Sequence, residues 1–241
     1  MTIVLVHGAW GGSWTWREVA RRLSAAGHEV HAPTLTGLAE RAHVAPEHVG
    51  LNSHIADIAG LLHYEDLSNV MLVGHSYGGM VVTGAADREP DRIAGVCYID
   101  AFVPHSGQSL FDLSGPERAA SHRAAAQAHD GGHSVPRPAN PANSMPSSAA
   151  QFGHLFTPQP LATMSEAFVA KNPGRVPAQR HYALCRAYNP SPFHAIAARV
   201  KTQPDWTHSE FDALHDVIRT HPDEVSQLVL NLARRWSVGT A

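Results

Sequence analysis

Apolar positions along this chain follow two patterns that take turns: short unbroken runs, and longer stretches in which apolar residues recur every three or four positions. Residues 3–6 are the first short run, stopped by His7-Gly8. A run this short and wholly apolar fits a strand covered on both faces. Beyond Gly11-Gly12, the residues Trp14, Trp16, Val19, Ala20 and Leu23 recur at helical spacing, with Ser13 as an N-cap and Gly27 as the stop. Residues 28–32 read as a second strand closed by Pro33. Asn52 or Ser53 caps the next helical pattern, through Ile55, Ile58, Ala59, Leu62 and His63. Residues 70–73 form a buried strand that runs into Gly74-His75-Ser76-Tyr77-Gly78-Gly79 and then a helix over 80–86, and residues 93–99 form a further strand. Strand and helix in alternation predict a parallel sheet with helices on both faces.

Residues 104–177 break this rhythm. Helical patches near 116–128 and 161–170 flank a stretch over 131–148 dense in Pro, Gly, Ser and Asn. A long irregular insertion in an α/β domain is commonly a lid. The rhythm then resumes with a strand over 179–185, a helix over 192–200, a strand over 206–211 and a final helix over 222–236. The expectation is one α/β domain, with a core of 1–103 and 178–241 and a cap over about 104–177 inserted after the 93–99 strand.

Composition narrows the function. The chain has 241 residues, 44% hydrophobic and 16% charged, which suits a globular protein with a full core. Its 18 basic residues against 21 acidic ones leave a net charge of -3, so no basic excess exists to neutralise phosphates and nucleic-acid binding is not expected. Cys97 and Cys185 have neither CxxC spacing nor neighbouring Cys ligands, so a disulfide framework and a zinc knuckle are not expected, and no metal is assigned. The start MTIVLVHGAW lacks a charged n-region and a long apolar h-region, and no apolar run reaches the roughly 18 residues of a membrane span. The sequence thus reads as a cytoplasmic protein without a membrane partner.

Three segments carry candidate chemistry. Gly74-His75-Ser76-Tyr77-Gly78 is G-x-S-x-G between a strand and a helix. A turn that tight holds Ser76 in a strained conformation with its hydroxyl above the sheet, as a nucleophile requires; the alternative is a glycine-rich turn that binds an anion at the helix N-terminus. His7-Gly8-Ala9-Trp10-Gly11-Gly12 follows the first strand, and the backbone N–H groups of Ala9 and Tyr77 are the candidate donors to a tetrahedral oxyanion. The alternative is a turn with no ligand. His215, after the last strand and followed by Asp216, is the candidate base that takes the Ser76 proton; the alternative is one more histidine among 18.

The combination HGAWGG, GHSYGG, DAFVP and HDVIRTHPDEV resembles the α/β-hydrolase superfamily, in particular the small esterase branch with plant methylesterases, hydroxynitrile lyases and bacterial carboxylesterases. The resemblance covers nearly the whole chain. Residues 155–161 look like this branch's lid, while about 115–150 match little. It implies an α/β-hydrolase fold and hydrolysis of a carboxylic ester of a small or medium apolar substrate through an acyl-enzyme on Ser76, with no cofactor. It implies a small-molecule ester as partner; the chain is compatible with a homodimer. In the branch's lyases a Thr or Asn follows the first His, or a Lys follows the catalytic His; Gly8 and Asp216 occupy those places here. A cyclase, a lactonase and a non-catalytic receptor are the other functions this scaffold supports.

The sequence departs from the branch at one place. An Asp usually follows the penultimate strand, but Cys185-Arg186-Ala187-Tyr188-Asn189-Pro190 contains no carboxylate. Asp100, at the end of the 93–99 strand, is the candidate substitute acid, or else caps a loop. Asp212 and Asp205 are weaker candidates: the first is too near His215 in sequence to face it, the second precedes the last strand at the wrong end.

Overall fold

The computed structural model describes residues 1–138, 152–175, 177 and 179–237. In chain order the elements are β1 (Thr2–Val6), α1 (Arg17–Ala25), β2 (Glu29–His31), α2 (Leu51–Tyr64), β3 (Val70–His75), α3 (Gly78–Arg88) and β4 (Ile93–Ile99). The inserted segment then supplies α4 (Leu110–Ser114), α5 (Pro116–Asp130), β5 (Ser134–Val135), β6 (Gln159–Pro160) and α6 (Ala162–Ser165). The chain closes with β7 (Gln179–Cys185), α7 (Pro192–Lys201), β8 (Trp206–Phe211), α8 (Val217–Thr220) and α9 (Pro222–Ser237).

Six strands form one sheet in the order β2-β1-β3-β4-β7-β8, and every pairing in it is parallel. The unbroken apolar runs have a direct cause. Successive residues of a strand point to opposite faces, and both faces are covered. Val4, Val6 and Leu72 pack with Ile55, Ile58 and Leu62 of α2, Met80 and Val81 of α3, and Phe193 and Ile196 of α7. Ile3, Leu5, Met71 and Val73 turn the other way onto Val19 and Leu23 of α1 and Val225, Val229 and Leu232 of α9. Burying such a side chain contributes about 1.5–3 kcal/mol, so the central strands make a stiff platform for whatever their ends carry.

Strand order fixes where that platform is useful. From β1 the chain moves outward to β2, then crosses back past β1 to β3. The loops leaving the carboxyl ends of β1 and β3 therefore diverge, and a crevice opens between them, as is general at the switch point of a doubly wound sheet.

Local boundaries differ from the sequence reading in instructive ways. Ser13–Trp16 forms a 3-10 turn and the α-helix starts only at Arg17; Gly12, not Ser13, precedes the turn. Gly27, at φ 87°, ends this segment as expected. Gly50, rather than Asn52 or Ser53, is the N-cap of α2: the Ser53 hydroxyl accepts the Gly50 N–H at 3.2 Å, and the Glu166 carboxylate reaches across from the insertion to accept the Asn52 N–H at 3.0 Å. The helical patch expected over 161–170 contracts to Ala162–Ser165. Much of the Pro-rich stretch, residues 139–148, lies outside the described residues.

Candidate active site

Ser76 sits at φ 56°, a left-handed conformation that costs a serine roughly 1–3 kcal/mol. Neighbours enforce it. The Ser76 N–H donates to Ile99 O at 3.3 Å, and Ser76 O accepts the Phe102 N–H at 3.1 Å, so the tail of β4 grips the residue on both sides. The glycines of the motif are steric necessities: a Cβ at Gly78 would lie 2.5 Å from Val6 O, and one at Gly79 2.1 Å from Phe102 O.

The Ser76 hydroxyl donates to His215 Nε2 at 2.9 Å, and His215 Nδ1 donates to Asp100 Oδ2 at 2.5 Å. An ionised carboxylate only accepts, so the proton resides on Nδ1 and Nε2 is left free to accept. Asp100 is fully buried. It is itself fixed, because Oδ1 accepts the Cys185 N–H at 3.0 Å and its own N–H donates to Ala183 O at 2.7 Å. The structure thus brings Ser76, His215 and Asp100 into one hydrogen-bonded row. Asp212 pairs instead with Arg186 at 3.4 Å and Asp205 with Arg180, so neither faces His215.

Three more side chains hold the imidazole, in roles that the sequence did not show. Phe193 stacks on it at 4.9 Å and 11°, and Tyr188 at 4.9 Å and 30°. His75 Nε2 donates to the backbone oxygen of His215 at 2.8 Å. Burial, reinforced by the neighbouring His215, keeps His75 well below the range of an ordinary imidazole. It is therefore neutral and adds no second positive charge beside the base. Tyr188 occupies the loop where a carboxylate was expected, so that loop contributes an aromatic face rather than a charge.

The Ala9 and Tyr77 N–H groups have no acceptor among the described residues. Their surroundings are rigid. Trp10, at φ 63°, gives its N–H to Gln159 Oε1 at 2.8 Å and accepts the Thr157 N–H on its oxygen at 3.0 Å. The buried Tyr77 ring donates its O–H to His54 Nδ1 at 2.8 Å, and His54 Nε2 donates to Thr36 O at 2.7 Å.

These groups open on a cavity of about 540 Å³ whose wall includes Trp10, Phe102, Leu110, Phe156 and Met164, with His122 and Arg137 among the polar residues. Phe102, just before the insertion, and Phe156 within it reach this wall, while Phe168 is buried elsewhere. Asp216 lines it too; burial lifts its carboxyl to about 6, against the pull of Arg219 at 3.3 Å. Among the described residues no three His, Cys, Asp or Glu side chains converge as a metal site would need, and no helix is long and apolar enough to cross a membrane.

The arrangement can do acyl-transfer chemistry: a hydroxyl against an imidazole, a buried anion behind it, and two free N–H groups nearby. Comparison with known proteins agrees with it. A carbendazim-hydrolysing esterase of Nocardioides sp. (strain SG-4G) is 40% identical over 233 residues, 93% of this chain and 96% of that protein. Methylesterase 2 of Arabidopsis thaliana is 35% identical over 117 residues, 44% of this chain and 41% of that protein. Among solved structures, an extracellular α/β-hydrolase from a Paenibacillus species superposes with a TM-score of 0.85 at 24% identity, over 96% of this chain and 98% of that one. The model of the alpha/beta hydrolase family matches residues 3–236, and the chain belongs to that family.

Proposed function

We propose that this protein hydrolyses a carboxylic ester of a small to medium apolar substrate through an acyl-enzyme on Ser76. The observation that carries the reading is the row from Ser76 Oγ through His215 to the buried Asp100. Ser76 Oγ attacks the ester carbonyl while His215 Nε2 takes its proton. The negative oxygen is held by the Ala9 and Tyr77 N–H groups, each worth about 10²–10³ in turnover at such a site. The intermediate collapses, the C–O bond to the alcohol breaks, and the imidazolium returns its proton to the departing oxygen. Water then repeats the sequence on the acyl-enzyme, its proton passing to His215 and back to Ser76. Asp100 holds the imidazole in the required tautomer and opposes its transient positive charge.

The apolar wall sets the substrate class. The bacterial relative's name makes carbendazim the first compound to try, beside p-nitrophenyl butyrate as a generic ester. Cyanohydrin cleavage has no support at Gly8, where a side chain would begin 3.0 Å from Ser76 Cβ, nor at Asp216, which pairs with Arg219. A non-catalytic receptor would have no use for the hydrogen-bonded row. The decisive experiment is treatment with a fluorophosphonate followed by peptide mass analysis. The expected result is one adduct on the peptide containing Ser76, with loss of ester turnover in proportion. An intact, unlabelled protein without ester turnover removes the reading.

A further inference from the structure

A second cavity, of about 290 Å³, shares no lining residue with the one beside Ser76. It lies between α3 and α7 over the sheet, with apolar walls from Val96, Val103, Phe168 and Val200. Its volume is near the lower end of the roughly 300–1,000 Å³ usual for small-molecule sites. The segment after Asp100 is the partition: Phe102 faces the Ser76 cavity, whereas Val103 and Pro104 face this one.

Its polar lining is unusual for a crevice left by packing. Arg180 of β7, Arg199 of α7 and Trp206 of β8 converge on it. Arg180 Nε, Arg199 Nε and Trp206 Nε1 are all buried, and none has an acceptor among the described residues. Buried donors are rarely left without a partner, since each costs about 1–3 kcal/mol. Three of them, brought by three elements to one cavity, call for an acceptor inside it.

Charge narrows the acceptor. Arg180 already pairs with Asp205, and Arg175, also on the wall, with Asp91. Arg199 gives an Nη2 proton to Val103 O, a neutral acceptor, and forms no ion pair with a carboxylate among the described residues. Asp87, on the same wall, spends its oxygens on the N–H groups of Lys171 and Asn172 at 2.6 and 3.0 Å. Arg199 is the guanidinium of the wall left without a carboxylate partner, which fits a single carboxylate, and the apolar walls fit a hydrocarbon body.

We propose that this cavity is a binding site for a small monocarboxylate with an apolar body, its carboxylate held by Arg199, Arg180 and the Trp206 indole N–H. A planar carboxylate can accept from a guanidinium fork and an indole at once. A doubly charged phosphate would find only one unpaired cation.

The test is calorimetric titration of the intact protein with sodium hexanoate, with hexanamide and inorganic phosphate alongside. Hexanoate should bind one to one, with hexanamide and phosphate each weaker by about tenfold or more, as the loss of a charge-assisted hydrogen bond implies. Arg199→Met should weaken hexanoate by a similar factor, and Arg199→Lys by less. Arg180→Gln, on a different element, provides a second reading should Arg199→Met fold poorly. Any competitive inhibition of ester turnover by hexanoate, which would report the Ser76 cavity, should be unchanged in all three variants. Absence of hexanoate binding, equal binding of hexanamide, or binding indifferent to both arginines overturns the proposal. None of these outcomes depends on whether Ser76 is a nucleophile.

Discussion

Asp100 reaches His215 from β4, the strand beside the nucleophile's own, and the loop after β7 leaves it room by presenting Tyr188 in place of a carboxylate. Asp100→Asn should keep the Oδ1 contact to the Cys185 N–H while turning an amide N–H toward His215 Nδ1, which forces the wrong tautomer. In a serine protease the same change costs about 10⁴ in turnover. We expect a loss of that order in kcat on p-nitrophenyl butyrate with an unchanged circular dichroism spectrum, and no comparable loss in Asp212→Asn. A loss at Asp100 below about tenfold, or roughly 1.4 kcal/mol of barrier, would remove it from the proton-handling row. At this scale the sequence was legible where chemistry is coupled to local pattern. Ser76 is marked by its flanking glycines and His215 by its place after the last strand. Asp100 stayed ambiguous because its partner lies 115 residues away. Phe193 and His75 were not singled out, and Tyr188 was noted only for standing where an acid was expected, since stacking on a ring or bonding to a distant carbonyl leaves no periodic trace.

Among the elements, β6 has the largest reach for its length. Gln159 is fully buried, and its side chain links Trp10, beside the proposed oxyanion donor Ala9, to Thr163 of α6, which accepts from Nε2 at 2.7 Å. Gln159→Leu would strand the Trp10 N–H and the Thr163 hydroxyl contact, at a cost of about 1–3 kcal/mol in stability. It would also loosen the loop that aims the Ala9 N–H. We expect a lower urea midpoint and a fall in kcat larger than any rise in KM; a fall in stability alone would confine Gln159 to packing. Gly79→Ala drives a methyl into Phe102 O and should destabilise by about 1–3 kcal/mol or more, read as a drop in Tm. The strands were the readable elements: β1, β3, β4 and the second half of β7 are buried on both faces and look it, while in the edge strand β8 only Trp206 and Phe211 are buried. The short α4, α8, β5 and β6 were missed because they are too brief to show a period and exist through tertiary contacts such as that of Gln159.

Acid sensitivity belongs to the molecule as a whole. Burial holds His7 and His181 at about 4, and His54 at about 4 as well, so all three are neutral in the folded protein at pH 7. In the unfolded chain each takes a proton near pH 6.5. The unfolded state therefore binds more protons below that value, and stability is lost as the pH falls from about 6.5 toward 4. Each histidine withdraws on the order of 3 kcal/mol across that window, and the sum rivals the whole stability of an ordinary domain, about 5–15 kcal/mol. We expect urea midpoints that are flat above pH 7 and fall steeply between 6.5 and 4. A His181→Gln variant, keeping polar contact to Thr207 and Ser209, should flatten part of that slope. An unchanged slope would deny His181 its share.

The manner in which the three members of the row are anchored also sets the order in which activity can appear. Ser76 and Asp100 are tied together through the β4 tail and, by the Ala183 and Cys185 backbone, to β7. The base alone rides on the turn after β8, steadied by His75 from the nucleophile's own strand. A chain still emerging from the ribosome, or one halted before β8, carries a serine and its acid but nothing to take a proton. On the proposed mechanism the protein should be chemically silent until its last strand docks, so that its turnover would report on completed folding and half-made copies would release no stray hydrolysis.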